Sequence, residues 1–559
     1  MNRMFKRGKG LPLGLGFLVM MVVFLLTPAW AEDNKTLENE VDALKKRIEE
    51  MDQRLNKTEV HTATDKLALG FELKTTAWSI HYGDVLAAPN ALVAGFFTPY
   101  GSGGFNGATL TEFQSAMAGM AMAGMIPPAD KYDADNDIIY TTKFRLNMKA
   151  KVNEHLSFNG RLAAYKVWGD STGVNFNHGS MSDVSLDGTT ASQPRGDLIH
   201  LERAYMNYHN QMGSVPVNFS LGRRPSTEGP PLEYAANSLE GGSPFGSVIN
   251  WQFDGASLNF GLEDVTGIPG AAFKLCYGLG FESDYGNSGS MSSNPQVDDV
   301  HLMGFISELF NNDITSVGLM YAYAPDLTDG FAGTTVMPFI VSRADKLAAD
   351  GTPGTDGVPE YYFEPNNGGF ISRMEPSANI GDWQALSLLL RSNLEESTGK
   401  DINMFLSTSW SSTDPSQISN NPFYEMMGMG LLSSNGQLEK HDGYSVYAGC
   451  VFPMPAHAKL GIEYNWGSKY WFNFTGAEDS LTGSKLSARG QVFETYYHQP
   501  IAGDNFFVTL GGRYYDYDYT GSGNPLGAPV KISEVSSTDA LFPVADTVWD
   551  IYLSATMRF

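Results

Sequence analysis

A chain of 559 residues that is 42% hydrophobic, with mean hydropathy −0.21, is too polar for a bundle of membrane helices and long enough for one or more folded units. Its formal charge of −25 argues against a nucleic-acid partner. Its two cysteines, Cys276 and Cys450, make no disulfide framework, no metal-ligand spacing and no CxxCH haem site.

Residues 1–31 combine a basic start (MNRMFKRGKG), an apolar run (LGFLVMMVVFLL) and small residues (PAWA) before Glu32. That pattern predicts a secretory signal peptide cut near Ala31. Its loss removes four basic residues and leaves 33 basic against 62 acidic. No later apolar run reaches the roughly 18 residues of a spanning helix.

Residues 32–66 contain KTLENEVDALKKRIEEMDQRLNKTEV. Leu37, Val41, Leu44, Ile48, Met51 and Leu55 recur at alternating steps of four and three, the a/d seam of about three heptads. The seam predicts a short coiled-coil helix in the periplasm and a homo-oligomer, dimer or trimer. A lone amphipathic helix lying on another surface is the competing reading. Three heptads are marginal in isolation.

From residue 67 the period falls to two. In KFRLNMKAKV, Phe144, Leu146, Met148 and Ala150 face one way, and Lys143, Arg145, Lys149 and Lys151 the other. Similar alternation predicts sixteen strands, near 67–82, 138–152, 156–168, 198–211, 215–224, 247–264, 271–283, 299–310, 314–324, 382–395, 401–412, 442–453, 457–467, 487–499, 503–518 and 547–559. Short turns (NEH, QMGS, NND, PMPA) alternate with long loops. The Asp254-Gly255 pair is read as a bulge inside one long strand 247–264, because a turn there would make the count odd.

Short connections on one rim and long ones on the other predict an all-β fold. It is a transmembrane antiparallel β-barrel of about 16 strands over residues 67–559. A sandwich or propeller would alternate too, without that rhythm. The last stretch, VWDIYLSATMRF, sets Trp549, Ile551, Leu553, Ala555, Met557 and Phe559 on an apolar face. Such a strand must close onto the first, because an unpaired edge is untenable in hydrocarbon.

Residues 67–559 resemble Gram-negative outer-membrane porins. GRRPSTEGPP (222–231) with GGSPFGSVINWQFDGASLNFGLED (241–264) resembles, more specifically, a porin-like family known only as a domain of unknown function. The heptads are similar to periplasmic stalks of some trimeric porins. The terminal aromatic Phe559 resembles the signature by which barrel-assembly machinery recognises its clients. These resemblances imply an outer-membrane location, lipid around the barrel and a periplasmic N-terminal segment.

A barrel of this size leaves room for a watery lumen. Lys143, Arg145, Lys149, Lys151 and Arg161 are expected to face inward, with Arg203 and Arg224 beside them, as a basic wall. Arg391 and Arg513 are expected on the opposite side. The excess of acid is then expected in the loops. Residues 83–137, or else 325–381, would fold into the lumen and set carboxylates against that wall, creating a transverse field. In YDADND, Asp133, Asp135 and Asp137 could hold Ca²⁺, although a solvated acidic loop tip explains them as well. Met117, Met120, Met122 and Met125 read as a packed apolar segment rather than a soft-metal site. No GxSxG or HExxH occurs, and His200 and His209, near Glu202, read as structural. The expected function is a passive diffusion channel for small hydrophilic or anionic solutes, with no catalytic residues. The alternative is a scaffold barrel that tethers the envelope or sheathes a partner protein; a lipid-acting hydrolase is a distant third.

Overall fold

The computed structural model describes residues 44–48 and, from 67 onward, all but 170–198, 239–240, 284–296, 331–332, 336, 345–359, 375, 420–436, 479, 523–527, 538 and 541–542. Two compact units divide the chain, residues 1–66 and 67–559. In the first unit, residues 44–48 are helical, with Leu44 and Ile48 exposed. The signal peptide and the seam residues Leu37, Val41, Met51 and Leu55 lie outside the described residues.

The second unit is a closed antiparallel barrel of sixteen strands. The first nine are β1 (Leu67–Ala87), β2 (Asp130–Lys151), β3 (Leu156–Val167), β4 (Ile199–Met212), β5 (Val215–Arg223), β6 (Asp254–Gly261), β7 (Ala272–Phe281), β8 (Val300–Asn311) and β9 (Thr315–Thr328). Four short strands then form two antiparallel pairs in the loop that follows: β10 (Gly333–Thr335) with β13 (Ser372–Met374), and β11 (Phe339–Ala344) with β12 (Glu360–Pro365). The barrel resumes with β14 (Asn379–Asn393), β15 (Asn403–Pro415), β16 (His441–Pro453), β17 (Lys459–Gly467), β18 (Gly490–Ala502), β19 (Phe506–Tyr517) and β20 (Thr547–Arg558). Each barrel strand pairs with its neighbours in this order, and β20 closes onto β1 from Glu72↔Arg558 to Gly83↔Thr547.

The two-residue period explains which face meets lipid. On β20, Trp549, Ile551, Leu553 and Met557 are exposed, whereas Asp550, Tyr552, Ser554 and Thr556 are buried inside. Leu386, Leu388 and Leu390 on β14 form another outward apolar row. Towards the long loops this face ends in tethered aromatics. Tyr323 donates to Asp382 at 2.7 Å, Trp410 to Asp442 at 3.2 Å, and Tyr277 pairs with His301 at 2.9 Å. Such amphipathic rings suit the membrane interface. Among the described residues no helix is long and apolar enough to cross a membrane. Phe559 exchanges backbone hydrogen bonds with Phe71 (2.9 and 3.0 Å) and stacks on its ring at 4.9 Å.

Two expectations fail in this part of the molecule. Residues 247–253 are not wall: β6 starts at Asp254, and Gly255 pairs in register with Gly222 and Gly278, without a bulge. Gly255 is needed for closeness instead, since a Cβ there would stand 2.0 Å from the Tyr277 carbonyl oxygen. Nor, among the described residues, do 83–137 and 325–381 set carboxylates against the basic residues of β2 and β3, whose partners are Glu72, Glu202 and Glu228. Strands β1 and β2 run on to residues 87 and 130, taking YDADND into the ladder. The remainder packs as an aromatic cluster shared by helices α1 (Asn90–Gly95) and α2 (Leu110–Met122) with the β11–β12 pair. Phe96 lies 4.6 Å from Phe339, and Phe113 lies 5.2 Å from Phe363, ring to ring. Thr109 and Glu112 close a capping box at the start of α2. Met117 is buried in this cluster, Met120 packs against it, and Met122 and Met125 are exposed.

Two connections turn into the barrel, the one after β5 and the one after β17, within residues 224–253 and 468–489. They meet in a short parallel bridge, Ile249↔Phe474, with Asn250 N–H donating to Phe474 O at 2.7 Å and Phe474 N–H to Val248 O at 3.0 Å.

Candidate functional site

These two loops divide the lumen into unlike halves. On one side the inner wall is apolar. Leu302, Ile306, Met320, Trp383 and Leu389, from β8, β9 and β14, are buried against Phe245, Val248, Ile249, Phe472 and Phe474 of the loops. Several of the polar groups that enter this core are hydrogen-bonded there. Trp383 Nε1 donates to Phe472 O at 3.2 Å, Asn473 Nδ2 to Ser247 O at 3.0 Å, and Ser247 and Ser407 hydroxyls pair at 2.9 Å. Apart from one cavity, these side chains pack as protein core.

The wall from β16 round through β20 and β1 to β4 is ionic. Arg145 on β2 lies 3.0 Å from Glu202, 3.3 Å from Glu72 and 2.6 Å from Glu228. Arg161 on β3 reaches Glu228 at 3.3 Å, and Arg203 reaches it at 3.6 Å. Glu202 and Arg203 are adjacent in sequence yet both buried inside. A register shift between Arg161 and Leu162 against β4 makes that possible, since a bulge sets consecutive residues on one face. Glu228 comes from the inward loop and sits at φ 59°, a left-handed conformation unusual for a non-glycine residue. Its N–H donates to Asn250 Oδ1 at 2.9 Å, which ties the carboxylate's position to the loop–loop bridge. Burial works against its ionisation. Arg145, Arg161, Lys143 and Arg203 outweigh that and hold the carboxyl well below the usual range.

A second ionic group continues on β16–β20. Lys485, from the loop after β17, contacts Glu463 at 2.5 Å and also Glu494. Tyr447 and Tyr496 hydroxyls donate to Glu463 at 2.6 and 2.9 Å, and Tyr552 donates to Glu494 at 2.8 Å. Arg513 pairs with Asp550 at 2.9 Å and lies 5.3 Å from the Trp78 ring centre. Glu478, on the loop, accepts from Lys485 N–H at 3.1 Å, and burial pushes its carboxyl up more than Lys485 lowers it. Between the two groups is a polar cavity enclosing about 800 Å³ of empty space, part of it open to solvent. Lys74, Lys485 and Arg513 line it together with Glu228, Glu478 and Glu494.

The residues singled out from sequence are distributed as follows. Lys143, Arg145, Arg161 and Arg203 are buried on the inner face of β2–β4. Lys149 and Lys151 continue that face of β2 towards the short-turn rim and are exposed. Arg224 lies just beyond β5, donating to Ser220 Oγ at 3.2 Å. Arg391 on β14 pairs with Glu233 of the inward loop at 2.9 Å. Arg513 is not opposite the others: β19 is only two strands from β1 around the closed sheet. The expectation that the acids keep to the loops is also corrected, because Glu72, Glu202, Glu463, Glu494 and Asp550 are wall residues. Asp133, Asp135 and Asp137 do not converge. Asp133 accepts from Asp84 N–H at 2.9 Å and Asp135 pairs with His81 at 2.7 Å. Alternate strand residues are roughly 6.6 Å apart, and among the described residues no three metal-binding side chains gather. Glu202 was hidden from sequence reading by the bulge. Glu72, Glu463 and Glu494 needed only the two-residue rule applied to the acids.

Residues 133–559 match the profile of a family described as a protein of unknown function (DUF3373). The chain belongs to that family. None of the curated proteins matches it by sequence. Among solved structures it is similar to OprB of Pseudomonas putida (11% identity, 90% of this chain and 97% of that one, TM-score 0.39). It is similar also to the outer-membrane protein OmpT of Vibrio cholerae (12%, 88% and 97%, TM-score 0.37) and to OmpF of Salmonella typhi (11%, 88% and 97%, TM-score 0.36).

Proposed function

We propose that this protein is an outer-membrane porin whose water-filled path runs along the ionic half of the lumen and passes small hydrophilic solutes, anions among them. The observation that carries this reading is the polar cavity lined by both cations (Lys74, Lys485, Arg513) and carboxylates (Glu228, Glu478, Glu494), in a barrel whose other half is largely filled by core. Fixed charges along a narrow path order dipolar solutes and select by charge and size. The protein supplies no chemistry in this account, only a filter. Lys143, Arg145, Lys149, Lys151, Arg161 and Arg203 bias the path towards anions, Glu228 restrains that bias, and Arg513 and Lys485 continue it. The N-terminal segment lies in the periplasm and joins copies through its heptad seam, and Phe559 is read by the barrel-assembly machinery.

The extent of the apolar core inside the barrel favours one other reading, a non-conducting scaffold barrel. Planar-bilayer recording separates the two. Stable open steps with a measurable anion preference support the porin, and a correctly inserted but silent protein supports the scaffold. Native mass after deletion of 35–60 tests the seam: a smaller particle supports it and an unchanged one removes its role.

A further inference from the structure

A second cavity lies in the apolar half, between the loop after β5 and the inner wall of β7–β9. The wall there is made of small residues. Cys276, Gly278, Gly304 and Ala322 face inward where the neighbouring rows carry Leu302, Ile306 and Met320. With so little side chain, the strand backbone itself forms the cavity surface. The loop contributes Ile249 and Phe253, so the lining is overwhelmingly apolar. The space encloses about 540 Å³, part of it open to solvent.

Arg224 borders this cavity and is its one ionic group. Arg145, Arg161, Arg203, Arg391 and Arg513 each meet a carboxylate, as described above. Arg224 donates to the Ser220 hydroxyl and lines the cavity beside Cys276, and among the described residues no carboxylate lies within ion-pair distance of it. A guanidinium held partly out of water without an anion is costly, and its planar fork of donors matches a carboxylate. We infer that this cavity binds a small amphiphile bearing one carboxylate on a compact apolar body. The carboxylate pairs with Arg224, and the body rests on Phe253, Ile249 and the bare strand backbone. The site is separate from the ionic path and does not depend on conduction.

Titration calorimetry on the folded full-length protein in detergent, with matching micelle blanks, tests this with three probes: 4-tert-butylbenzoate, the neutral 4-tert-butylbenzyl alcohol, and acetate. The benzoate is expected to bind saturably, and the alcohol and acetate at least about tenfold more weakly, the size of one charge-assisted pair. Arg224→Gln should weaken the benzoate by a similar factor. Ala322→Leu, which fills the cavity while keeping the charge, should weaken it too. Heat-modifiable gel migration reports whether each variant is folded. Failure of the benzoate to bind, equal binding of the alcohol, or unchanged affinity in Arg224→Gln overturns the site. If Arg224→Gln does not fold, unchanged affinity in Ala322→Leu overturns it.

Discussion

The two halves of the lumen face each other across the same pair of loops and are built on opposite rules. Where Phe245, Ile249, Phe472 and Phe474 meet Met320, Trp383 and Leu389, the barrel behaves as a sandwich with a core. Where Arg145, Arg161 and Arg203 meet Glu228, and Lys485 meets Glu463 and Glu494, charge lines the space. The lesson is that the apolar half anchors the loops and the ionic half is left lined by charge. The loops could not be held by the ionic wall alone, because burying charge returns little net stability. The core fixes them, and that lets Glu228 stand in a strained left-handed conformation at the right place.

Breaking the anchor should have the largest effect. Replacing residues 469–488 by a short Gly-Ser linker removes Phe472, Phe474 and Lys485 together, and single-channel conductance should rise several-fold. An unchanged conductance would mean the loop is no obstruction. On the ionic side, Lys485→Met leaves Glu463 and Glu494 buried without their cation. It should cost about 3–5 kcal/mol, read as a lower urea midpoint for the folded barrel. On the apolar side, Phe472→Ala should cost about 3–5 kcal/mol by leaving a cavity, at the low end where neighbours relax. Glu228→Gln should act on selectivity more than stability. With the shared carboxylate neutral, Arg145, Arg161 and Arg203 shift the reversal potential towards anions. Smallest of all, Arg391→Ala breaks a half-exposed pair with Glu233 and should cost no more than about 1 kcal/mol.

The wall is the legible part of this sequence. Alternation in KFRLNMKAKV and VWDIYLSATMRF is imposed by lipid on one side and water on the other, so it survives in single strands. The inward loop is not legible, for a physical reason. Residues 247–253, SVINWQF, alternate apolar and polar side chains as they enter a core, and such a segment continuous with β6 reads as more strand. The basic residues on β2 and β3 follow from parity. Glu202 does not, because one bulge on β4 reverses the parity that the rest of the strand obeys. Arg513 and Asp550 follow from parity as inward residues, but which strands lie side by side depends on closure. Only the β1–β20 pairing puts them next to the basic wall.

Cysteine accessibility tests the division of the lumen most directly. In a background of Cys276→Ser and Cys450→Ser, single cysteines are placed at Ser554 on the ionic side and at Ser407 on the apolar side. A charged methanethiosulfonate reagent is then added during bilayer recording. Modification at position 554 with a stepwise fall in current, and no reaction at position 407, is the predicted result. Equal reaction at both positions, or block only from position 407, would contradict a path confined to the ionic half.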